Sequence, residues 1–180
     1  MRLRMIFAGI LVALCPVLVQ AQTAPKPGPE HKKLEVWVGS WSTQGEVKPG
    51  NAYGVPAGKF SRTDRFQWVP GGFFLQQNRE GKGPEGEIRH MAMIGYDPIA
   101  KKYTWAWFDL ASGASASFTM TNNGNTWIST GGGTSRGGKP FQERCTSDFV
   151  PNVSSTFKCE TSPDGKTWTP AIEGKATKSR

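Results

Sequence analysis

Apolar residues in this chain recur at every second position almost throughout, with one early exception. After Pro29-Glu30, the stretch HKKLEVWV places Leu34, Trp37 and Val38 on a narrow helical stripe, which Gly39 ends. From there the period is two, and Gly, Pro, Asn or Asp clusters interrupt it every ten residues or so. The alternation predicts strands over 40–47, 58–69, 73–80, 87–96, 102–110, 114–121, 126–131, 141–150, 155–161 and 166–176. Between them lie Pro70-Gly71-Gly72, a flexible GKGPEG loop over 81–86, Asp97-Pro98, NNGN, glycine runs, Pro151-Asn152-Val153 and Pro163-Asp164-Gly165. About ten strands joined by short turns predict a mainly β, antiparallel up-and-down barrel with a short N-terminal helix; a β-sandwich is the alternative. Closing the ring removes the free strand edges that would otherwise invite aggregation.

The start of the chain changes the picture of where this domain works. MRLRMIFAGILVALCPVLVQA reads as a secretory signal over residues 1–21, cleaved after Ala21, with Arg2 and Arg4 before an apolar run too short to span a bilayer. Leu14 before Cys15 does not suit a lipoprotein signal. Residues 22–30, QTAPKPGPE, read as a Pro-rich tether, and 31–178 as one domain. Losing 1–21, with two arginines and no acids, takes the formal charge from +8 to +6. The remaining basic residues are scattered, apart from the GKATKSR tail, so no nucleic-acid partner is expected. The expected location is the periplasm or the exterior, without stable membrane insertion after signal cleavage.

With Cys15 removed, Cys145 and Cys159 remain on consecutive strands. If Pro151-Asn152-Val153 forms the loop, counting outward sets the two directly opposite, near disulfide range. A structural disulfide is expected, with two buried thiols as the alternative. Only two histidines occur, and no zinc spacing, nucleophile elbow, P-loop or Rossmann glycine pattern appears. No metal, cofactor or catalytic residue is therefore assigned.

Polar residues on apolar strand faces are more informative. Arg62 and Asp64 share a face with Phe60, Phe66 and Trp68, and Gln77 and Arg79 with Phe73 and Leu75. His90 shares a face with Ile88, Ala92 and Ile94, while Tyr103, Trp105, Trp107 and Asp109 share another face. If these faces point inward, Arg62, Asp64, Phe66, Trp68, Phe73, Leu75, Arg79, His90, Tyr103, Trp105 and Trp107 line a pocket for a small apolar or amphipathic molecule. The alternatives are cross-strand pairs that merely satisfy one another, or faces turned outward.

HKKLEVWVGSWSTQGEV, WVPGGFFLQQNREGKGPEGE, MIGYDPIAKKYTWAWFD and TWTPAIEGKATK, in that order, resemble the bacterial domain of unknown function 1579 over about residues 30–178. That resemblance implies a lipocalin-like, calycin-type barrel and no established activity. Gly39 and Trp41 are similar to the Gly-x-Trp start of calycins, which lies at the closed end, so Trp37, Gly39 and Trp41 are expected to close the barrel floor. The haem-binding and fatty-acid-binding calycins use a C-terminal histidine and an Arg-x-Tyr, and this chain has neither there. The expected function is non-enzymatic binding of a small molecule. An enzyme pairing His90 with Asp64 or Asp109, or an envelope interaction module, are the alternatives.

Overall fold

The computed structural model describes residues 25–135 and 137–179. The expected signal, 1–21, and the first residues of the tether lie outside the described residues. A five-residue helix α1 (Pro29–Lys33) runs into one turn of 3-10 helix (Leu34–Trp37). Pro29 suits the first helical position, where its missing N–H is no loss. Ten strands follow: β1 (Gly39–Val47), β2 (Gly58–Trp68), β3 (Phe74–Gly83), β4 (Gly86–Asp97), β5 (Lys102–Asp109), β6 (Ser115–Asn123), β7 (Thr126–Thr134), β8 (Pro140–Val150), β9 (Ser154–Ser162) and β10 (Thr169–Lys178).

Each strand pairs antiparallel with its sequence neighbours, and β1 pairs with β10 from Trp41↔Lys178 to Val47↔Ile172. That last ladder closes the ring and sets the sandwich aside. No helix among the described residues is long and apolar enough to cross a membrane.

Glycines account for two differences from the sequence reading. GKGPEG is not a long loop: β3 continues through Gly83, β4 begins at Gly86, and only Pro84 and Glu85 turn. The Gly131-Gly132-Gly133 run is not a connection but part of β7. A Cβ at Gly131 or Gly133 would sit 2.1 or 2.0 Å from the carbonyl oxygens of Ser117 and Ser115, so only glycine permits this close backbone approach.

One end of the barrel is plugged. Leu34 and Trp37 enter from the helical segment and pack with Trp41, Phe66, Leu75, Ile94, Tyr103, Met120, Trp127 and Phe149. Gly39, at φ 111°, turns the chain from Trp37 into β1, and the Trp41 indole N–H donates to the Trp37 carbonyl at 2.7 Å. Tyr103 ties α1 down through its hydroxyl, which donates to the Glu30 carboxylate at 2.6 Å. At the other end a smaller cluster of Val47, Phe60 and Ile88 packs with Val55, Phe157 and Ile172.

Candidate functional site

Between the plug and the mouth lies a cavity of about 230 Å³. Its floor is Trp37, whose ring meets Phe149 at 4.7 Å, Phe66 at 5.4 Å and Trp105 at 5.7 Å. The walls come from the inward face of each strand, so period two decides which side chains reach it. Arg62, Asp64, Phe66, Arg79, His90, Trp105 and Trp107 line the cavity together.

Trp68, Phe73, Leu75 and Tyr103, also expected to line a pocket, do not reach it. They sit at the plugged end, where the helical segment fills the lumen. Leu75 is wholly buried in that core, and the Trp68 indole N–H donates to Glu35 at 2.9 Å. Phe73 precedes β3 and packs edge-on against His31 at 5.2 Å. Tyr103 is held by Glu30.

A charged row crosses four strands at one level: Asp64↔Arg79, Arg79↔His90 and His90↔Asp109 are direct register partners on β2 to β5. Asp64 is its centre. One carboxylate oxygen accepts from Thr43 at 2.8 Å and Arg62 Nε at 3.1 Å; the other accepts from Arg79 Nε at 2.6 Å and Gln77 at 2.8 Å. Burial pulls the Asp64 carboxyl upward, but the charges of Arg79 and Arg62 outweigh it and hold the group well below the usual carboxylate range. Burial, reinforced by the neighbouring Arg79 charge, lowers Arg62 to about 10. The Arg62 guanidinium also lies over the Phe60 ring at 4.7 Å.

This arrangement removes Asp64 as an acid/base partner for His90, because Arg79 stands between them in the register and the carboxylate is fully engaged. His90 packs edge-on to Trp107 at 4.7 Å. Its register partner Asp109 caps the following turn, accepting the backbone N–H of Ala111 at 2.8 Å and the Ser112 hydroxyl at 2.6 Å.

The loop after β1 folds across the mouth. Asn51 braces it by donating to the carbonyls of Lys48 and Val55, and Ala52 N–H donates to Thr161 at 2.8 Å. Tyr53 packs edge-on to Phe141 at 5.2 Å and its hydroxyl donates to the Glu143 carboxylate. Burial pushes the Glu143 carboxyl up, against the opposing pull of the Tyr53 hydrogen bond and the Arg79 and Arg62 charges. A raised carboxyl contributes fully below the ordinary carboxylate range, and that contribution is lost as pH rises through the folded-state value. Glu143→Gln keeps an acceptor for Tyr53 and removes the ionisation. It is expected to melt a few degrees above wild type at pH 8, with the gap closing near pH 4, in thermal melts across pH. Equal melting temperatures at both pH values would contradict this account.

Cys145 and Cys159 are register partners joined by a disulfide in the cavity wall, as the three-residue loop count requires. Glu143 lies with them, but the sulfurs are oxidised and offer no thiolate to a metal. Glu143 and Phe118 follow the inward parity of their strands and were readable in principle; Tyr53 sits in an irregular loop and carries no such signal.

The sequence profile of the family described as protein of unknown function (DUF1579) matches residues 26–178. Among curated proteins, none matches the sequence. Among solved structures, the crystal structure of Rv2717c from M. tuberculosis is similar in fold. Its TM-score is 0.63 at 11% identity, covering 85% of this chain and 99% of that one.

Proposed function

The chain belongs to this DUF1579 family, and we propose that it is an exported binding protein that takes one small amphipathic molecule into its lumen. The supporting observation is the cavity itself. It has room for a small guest, its wall is largely apolar with several aromatic rings, and Thr43, Arg62, Gln77 and Arg79 converge on Asp64 within it. A barrel built only for stability would fill such a space, because empty volume forfeits dispersion contacts. Export is supported by the Cys145–Cys159 disulfide, a bond that persists in oxidising compartments, and by the basic-then-apolar run at the head of the sequence.

Titration with the neutral fluorophore N-phenyl-1-naphthylamine tests the reading. Saturable one-to-one enhancement is expected. Ser147→Phe, which adds a ring to the cavity wall, is expected to weaken uptake about tenfold or more. No saturable enhancement with the folded wild type would set the reading aside.

A further inference from the structure

The hydrogen-bonding groups on the cavity wall are unequally matched. Arg62 and Arg79 each give only Nε to Asp64, and among the described residues their terminal guanidinium N–H groups have no acceptor. Both side chains are nevertheless largely buried, at 10% and 15% exposure. The indole N–H groups of Trp37 and Trp105, also on the wall, are buried without an acceptor among the described residues. Beside Arg62 and Arg79 the unmatched groups are therefore donors, while Glu85 Oε2 in the β3–β4 turn is an acceptor without a partner among the described residues.

The charges are unequal as well. Two guanidiniums hydrogen-bond to one carboxylate, and Asp64 has both oxygens already doubly occupied. The other acids of the wall make no hydrogen bond to either guanidinium among the described residues. Asp109 caps its own turn, Glu143 on β8 is within reach of the Arg62 and Arg79 charges but takes its hydrogen bond from Tyr53, and Glu85 sits in the β3–β4 turn at the mouth. Neither guanidinium forms an ion pair with any of them among the described residues. A buried cation left short of acceptors is costly unless something supplies them.

We infer that the lumen receives the anionic head group of its ligand, a carboxylate or a phosphate, against the paired guanidiniums of Arg62 and Arg79, with the apolar body on the tryptophan floor. This rests on the binding reading above and adds the ligand's charge to it. Asp64 acts as a positioning residue: by taking Nε from both arginines it turns their remaining N–H groups toward the lumen side, where a planar or tetrahedral anion can accept several at once. The cavity volume sets the scale of the guest, which suits an eight-carbon probe.

Calorimetric titration of the purified full chain with octanoate, octyl phosphate, 1-octanol and octylammonium tests the inference, with N-phenyl-1-naphthylamine uptake measured on the same sample. Octanoate or octyl phosphate is expected to bind about tenfold or more tighter than 1-octanol, and the tighter of the two names the head group. Arg79→Gln is expected to bring the anion and 1-octanol to within about threefold of each other. If that variant does not fold, the wild-type series decides alone. Naphthylamine uptake with no preference for anions, or with octylammonium preferred, overturns the inference and leaves the binding reading standing. No uptake of any probe overturns both.

Discussion

Asp64→Ala is expected to destabilise the protein by ~3–5 kcal/mol, the range for removing one partner from a buried ionic network. The carboxylate is 6% exposed and serves Arg62, Arg79, Gln77 and Thr43 at once. Deleting it leaves two guanidiniums facing each other in the lumen with nothing between them. For a chain of this size the loss corresponds to a melting temperature lower by roughly 6–20 °C, readable by urea titration and thermal melts. A loss below about 1 kcal/mol, the value of an exposed pair, would mean that the arginines are solvated and the network is not buried.

Two further measurements define what the network is for. Because the Asp64 carboxyl is held below the ordinary carboxylate range, its contribution is complete above that range and is lost only as pH falls through the depressed value. Wild type should therefore retain it at pH 4, where unpaired carboxylates are already protonating. The triple variant Arg62→Met, Asp64→Leu, Arg79→Met replaces the whole network with apolar side chains. It is expected to be about as stable as wild type, since buried ion clusters rarely outperform hydrophobic packing. It should lose the preference for anionic probes. Stability recovered without selectivity would assign the charges to recognition.

The second large effect is expected from the disulfide. Reducing Cys145–Cys159, or replacing both with alanine, should lower stability by ~3 kcal/mol, the value the chain-entropy model assigns to a loop of about 15 residues. The sequence separation here is 14. The fold should persist, because β8 and β9 remain paired over nine register positions from Gln142↔Ser162 to Val150↔Ser154. The test compares melting midpoints with and without reductant, with thiol counts confirming reduction. An unchanged midpoint in fully reduced protein would show that the bond contributes nothing to stability.

How much of this was legible beforehand depended on range. The faces were, because alternation is a local property: Arg62, Asp64, Arg79, His90, Trp105 and Trp107 all line the lumen as their parity demands. The cysteine pairing was, because a three-residue loop leaves one way to count. Depth along the barrel was not. Trp68 and Leu75 have the right parity but lie where Leu34 and Trp37 fill the interior, and how far a helical plug penetrates is decided by packing with distant strands. Nor was the Tyr53–Glu143 contact, which joins residues 90 positions apart through an irregular loop. The glycine-rich stretches misled for a physical reason. Glycine marks flexibility and close backbone approach alike, and only the neighbouring strands show which one applies.

The β1–β10 seam has a consequence for the order of events in folding. The strand laid down first waits for the strand laid down last, so its outer edge stays unsatisfied until Thr169–Lys178 arrives. Every adjacent hairpin can form locally, but the lumen comes into being only with this longest-range pairing, the slow kind of contact in β proteins. A chain that stops short of β10 would be an open ribbon with two exposed edges, prone to self-association. The proposed uptake would need a completed circle, and in a refolding time course probe fluorescence is expected to rise only after most of the β-structure has formed.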